Sequence, residues 1–103
     1  MEKVIGLIDD NYAVYIGTTP FCSSCQARKL DILRLGKILN MFSYYEMDAN
    51  ENIDFINQYK ISKIPFFVIS SKKKVIDISY TYESLLNSLS KILEGEGYSD
   101  REK

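Results

Sequence analysis

Hydrophobic residues along the chain fall into short blocks whose spacing alternates between strand-like and helix-like. Ala13-Val14-Tyr15-Ile16-Gly17-Thr18 is β-branched and aromatic. Asp9-Asp10-Asn11 precedes it and Thr19-Pro20 follows, which predicts a buried strand. From Cys22 to about Phe42 the chain reads as a long helix. Leu35, Ile38, Leu39 and Phe42 follow the i, i+3, i+4, i+7 pattern of one face, and Arg28, Arg34 and Lys37 are left for water. Ser43-Tyr44-Tyr45-Glu46-Met47-Asp48 predicts a second strand. Asn50 and Glu51 then supply an N-cap and a first-turn acid for a helix that turns Phe55, Ile56 and Tyr59 inward. Phe66 to Ser70 and Lys74 to Ile78 predict two strands joined by Ser71-Lys72-Lys73, a spacing that favours an antiparallel hairpin. A last helix carries Leu85, Leu86, Leu89, Ile92 and Leu93 on one face, and Met1, Val4, Ile5 and Ile8 predict a short helix at the start.

The expected order is therefore α-β-α-β-α-β-β-α. Alternating strands and helices imply parallel crossovers, and the hairpin makes the sheet mixed. The class is α/β, a central sheet of about four strands flanked by helices. Residues 1–94 are expected to form the domain and 95–103, polar and interrupted by glycine, a flexible tail. At 103 residues there is room for one domain.

Composition narrows the chemistry by what is missing. Thirteen Lys and Arg against fourteen Asp and Glu leave a net charge of -1, which argues against a nucleic-acid partner. There is no histidine, which removes the commonest general base and the usual catalytic-zinc ligand. Two cysteines cannot staple a mini-protein, nor make a four-ligand zinc site of cysteine and histidine within one chain. The first apolar stretch, Val4 to Ile8, is too short for a secretory core, and no run approaches the roughly 20 residues of a membrane span. The expectation is a cytoplasmic protein without membrane attachment. In a reducing compartment a lone cysteine pair is more often redox-active or metal-binding than structural.

That pair is Cys22-Ser23-Ser24-Cys25, placed where a strand runs into a helix. Free N–H groups and the positive end of the helix dipole favour a thiolate there, with Arg28 and Lys29 adding positive charge further along. Cys22, at the helix entrance, is the expected attacking nucleophile on an external disulfide. Cys25, one turn deeper, is the expected resolving thiol. A zinc site shared between two chains and an inert pair remain as other readings. Nothing resembles a Gly-rich nucleotide loop, so no bound cofactor is expected.

From about Ala13 to Ile92 the sequence resembles the thioredoxin family. The likeness rests on Thr18-Thr19-Pro20-Phe21-Cys22-Ser23-Ser24-Cys25 and, downstream, on Tyr59-Lys60-Ile61-Ser62-Lys63-Ile64-Pro65, which is similar to the family's Tyr-Gly-Ile-x-x-Ile-Pro. The resemblance implies a thioredoxin-like fold and a thiol–disulfide oxidoreductase that reduces protein disulfides and is re-reduced by a partner reductase. It also implies a monomer, with Pro65 in the cis form and Phe21, Ile64 and Pro65 contacting substrate. A thioredoxin-fold adaptor and a redox sensor are the alternatives.

The chain departs from the family at several places. Phe21 replaces tryptophan, Ser-Ser replaces Gly-Pro, Leu30 stands at the mid-helix proline, and Thr81 lies near the glycine of the third wall of the groove. The family's buried aspartate aligns with Ile16 and its partner lysine with Tyr44. Glu46 lies on the same strand and face as Tyr44. Buried beneath the sheet with a raised pKa, it would act as a base for Cys25; facing solvent at a strand end, it would not.

Overall fold

A computed structural model describes the backbone of residues 1–102 and the side chains of residues 1–95. Five strands form one mixed sheet: β1 (Glu2–Lys3), β2 (Ala13–Thr18), β3 (Ser43–Asp48), β4 (Phe66–Ser71) and β5 (Lys74–Ser79), in the order β1-β3-β2-β4-β5. Three helices complete it: α1 (Ser23–Ile38), α2 (Ile53–Gln58) and α3 (Tyr82–Glu102). β1 and β2 both run parallel to β3, whereas β4 is antiparallel to β2 and to β5.

Every residue of β2 is buried, as its unbroken apolar run requires of a central strand covered on both faces. Side-chain alternation sorts two cores. Val14, Ile16, Phe67 and Ile69 meet Ile32 and Leu35 of α1 and Leu85 and Leu89 of α3. Ala13, Tyr15, Met47, Phe66 and Val68 face the other way, toward Phe55 of α2. The C-terminal ends of β2 and β3 are in register, Thr18 opposite Asp48, so the loops that leave them share one end of the sheet. In open α/β sheets that end carries the ligand crevice.

Several expectations change. The N-terminal residues form the edge strand β1 rather than a helix, which raises the strand count to five. α1 stops at Ile38 instead of Phe42, so Ile38 is exposed while Phe42 packs in the core from the following turn. Asn50 and Glu51 do not open α2, whose N-cap position is Asn52 and whose first-turn acid is Asp54; they lie in a single 3-10 turn, Ala49–Glu51, capped by Asp48, whose Oδ1 accepts from the Asn50 N–H at 2.8 Å. Leu86 faces outward. The hairpin forms as expected, with Lys72 and Lys73 both at positive φ (50° and 67°), the sign a type I′ turn needs. The polar tail expected at 95–103 falls, from residue 96 on, outside the residues whose side chains are described. Among the described residues no helix is long and apolar enough to cross a membrane.

Candidate active site

Cys22 follows β2 and caps α1. Its backbone is extended (φ −101°, ψ 105°), and its Sγ accepts a hydrogen bond from the Cys25 N–H at 3.2 Å. The Ser24 hydroxyl lies 3.4 Å from the same sulfur. Such a sulfur stands at the positive end of the helix with an otherwise unpaired N–H directed at it, so negative charge on it is favoured. Cys22 and Cys25 are joined by a disulfide with a Cα–Cα distance of 5.2 Å. Burial then separates their roles: Cys22 is half-exposed and Cys25 is 0% exposed.

Phe21 is fully exposed, with its backbone in the left-handed region at φ 67°. Together with Cys22, Ser23 and Gln26 it lines a cavity of about 250 Å³. The Ile64–Pro65 peptide bond is cis. Both residues are half-buried and lie just before β4, whose Phe66 pairs with Gly17 near the end of β2. The segment therefore reaches the cysteine end of the sheet, although neither residue lines the cavity beside Phe21. Gly17 has no room for a side chain, because a Cβ there would fall inside the Phe66 ring.

Glu46 is buried at 5% exposure on the α1 side of the sheet, opposite Ile16 in the register. Both of its oxygens are occupied. The Thr18 hydroxyl donates to Oε2 at 2.7 Å, and Lys29 Nζ lies 3.1 Å from Oε1. Burial alone would raise the carboxyl pKa. The Thr18 and Lys29 hydrogen bonds and the charges of Lys29 and Lys3 outweigh it, so the pKa lies below its ordinary value of 4.5. Neither expected form of Glu46 is found: it does not face solvent, and its pKa is not raised. The cause is a pair of partners brought from β2 and α1.

Sequence reasoning gave Thr18 no part beyond its place in the strand and the cysteine motif, and gave Lys29 only a minor electrostatic one. The signal for Lys29 was its position four residues after Cys25, which places both on one helix face. Ile16 and Tyr44, the positions aligned with the family's buried pair, do other work. Ile16 is fully buried in the apolar core. The Tyr44 hydroxyl donates to the Leu39 carbonyl at 2.7 Å, and burial, with Tyr82 nearby, pushes its pKa up to about 12.

The chain matches no protein-family model. It is 27% identical over 77 residues to the thioredoxin-like protein YusE of Bacillus subtilis (strain 168), covering 75% of this chain and 72% of the relative. Among solved structures it is similar to oxidized mitochondrial thioredoxin 3 of Saccharomyces cerevisiae, with a TM-score of 0.77 at 14% identity, covering 88% of this chain and 94% of that one. Thioredoxin from Trypanosoma brucei brucei gives a TM-score of 0.75 at 15% identity, covering 89% of each chain. The order of its sheet and its flanking helices are those of the thioredoxin fold, and Cys22 and Cys25 stand two residues apart at the entrance of α1.

Proposed function

We propose that this protein is a thiol–disulfide oxidoreductase that reduces disulfides in other proteins, using Cys22 and Cys25 in a reducing compartment such as the cytoplasm. The observation that carries the reading is the asymmetry of the pair, a half-exposed sulfur capping a helix beside a fully buried one. In the dithiol form the Cys22 thiolate attacks a substrate disulfide. A mixed disulfide forms and one substrate thiolate leaves, to be protonated by water. Cys25 then loses its proton and attacks the Cys22 sulfur, closing the intramolecular disulfide and expelling the second substrate thiolate. Two electrons pass from the two thiols to the substrate, and a partner reductase must restore them.

Substrate docking falls to Phe21, which offers an exposed apolar face beside Cys22, and to the Ile64 backbone with Pro65, where an extended segment would pair. The test is reduction of insulin disulfides with a dithiol supply. Catalytic turnover that disappears in Cys22→Ser supports the reading; turnover no faster than the dithiol alone overturns it. Exposed Leu30 and Leu33 on α1 favour a second reading, a binding adaptor. An adaptor would bind its partner equally well with both cysteines replaced by serine.

A further inference from the structure

The segments that meet at the cysteine end of the sheet differ in charge. Residues 19–27, which join β2 to α1 and form the first turn of that helix, contain no charged side chain, and neither do residues 80 and 81 between β5 and α3. On the β4 side of the central strand the charge comes from residues 60–65. Lys60 and Lys63 are both exposed there, and Lys63 immediately precedes the cis Ile64–Pro65 pair. Acids stand on the β3 side, which the sheet order places across β2. Asp48 is engaged by the Asn50 N–H at 2.8 Å, and Glu51 lines a separate cavity with Ile5 and Gly6. Glu83 lies in the first turn of α3, where it offsets the positive end of that helix.

The two lysines stand on a loop that is tied at both sides. The Ile61 N–H donates to the Ile56 carbonyl at 3.0 Å and the Ser62 N–H to the Tyr80 hydroxyl at 3.2 Å, while Ile61 and Ile64 pack against the core on the α2 side. Lys60 holds a left-handed backbone at φ 54°, a conformation that favours glycine. Among the described residues the ion pairs join Arg28 and Arg34 to Asp31 and Lys29 to Glu46, so neither Lys60 nor Lys63 has an acidic partner. In a chain of net charge -1, two unneutralised ammonium groups on one loop make a local positive field and not a property of the whole surface.

We infer that Lys60 and Lys63 select the substrate: the disulfides this protein reduces are those flanked by acidic side chains. This deepens the oxidoreductase reading and rests on it. A substrate segment extended along the Ile64 backbone runs past Lys63. An Asp or Glu next to the attacked cysteine therefore meets positive charge, and a Lys or Arg there is repelled. The lysines act on encounter and docking and take no part in the exchange between sulfurs.

The test uses three disulfide-bridged peptides, identical except that the residues flanking one cysteine are Glu, Gln or Lys. Each oxidises the pre-reduced protein in a single turnover. Its rate constant is divided by that of the same peptide with dithiothreitol, which removes intrinsic differences between the disulfides. At low salt the Glu peptide is expected to react about tenfold faster than the Lys peptide, with Gln between them, and the ratio to fall toward one at about 1 M salt. Lys60→Glu with Lys63→Glu reverses the order. Lys60→Gly with Lys63→Gln, which also suits the left-handed backbone, abolishes it. Lys72→Glu with Lys73→Glu makes the same change in net charge at the hairpin, at the opposite end of the sheet, and leaves the order intact. An equal loss of preference in the hairpin variant overturns the inference. Reduction of all three peptides at equal normalised rates overturns the substrate preference and leaves the oxidoreductase reading standing. Reduction of none of them faster than by dithiothreitol overturns both.

Discussion

Phe21 combines two unfavourable features in one residue. A bulky side chain at φ 67° sits in a region that costs of order 1–3 kcal/mol, and its ring is left entirely in water. Both features set an apolar group beside Cys22 at the edge of the cavity there. Glu46 shows the opposite economy, a buried charge whose every oxygen is satisfied. Glu46→Gln keeps the shape and removes the charge, and is expected to lower stability at neutral pH by about 1–3 kcal/mol. The folded-state pKa of Glu46 lies below the ordinary carboxyl value, so the contribution is fully present above that value. It is lost as pH falls through the folded pKa. Urea midpoints of the two proteins should therefore converge as pH falls below the ordinary carboxyl value and through the folded pKa of Glu46. Parallel curves would mean that the pair carries no pH-dependent stability. Cys22 and Cys25 were legible from spacing alone, because a helix entrance is a local feature. The Glu46 cluster was not, since its members meet only when β2, β3 and α1 pack.

Among the elements, the start of the chain departs most from its pattern. Met1, Val4, Ile5 and Ile8 have helical spacing, but so short a segment without tertiary support is a marginal helix. The edge of β3 offers backbone partners instead. Glu2 and Lys3 pair with Tyr45 and Glu46, and the Val4 N–H donates to the Glu46 carbonyl at 2.9 Å. Asn52 then fastens the segment. Its Oδ1 accepts from the Gly6 N–H at 2.8 Å, and its Nδ2 donates to the Val4 and Asp48 carbonyls at 3.3 Å and 2.8 Å. Asn52→Ala leaves these buried and half-buried groups without their partner, and is expected to cost about 2 kcal/mol and to release the Gly6 amide to fast hydrogen exchange. Unchanged protection at Gly6 would show that β1 holds without the latch. The central strands and the hairpin were legible because their apolar runs and turn lengths are local. The edge strand depended on a neighbour distant in sequence.

At the scale of the molecule, two apolar layers on either side of a mixed sheet carry the fold, and the cysteine loop is built on the C-terminal end of its central strand. That architecture was readable from the alternation of element types, apart from the fifth strand. Without histidine, the α1 N-terminus is the feature at Cys22 that biases the balance between dithiol and disulfide. Whether that balance makes the protein a reductant is the central claim, and equilibration of the Cys22–Cys25 couple with glutathione buffers tests it most directly. A reductant of protein disulfides predicts a potential of about −270 mV. A value of about −120 mV, where the dithiol form is the favoured one, would mark an oxidant and contradict the account.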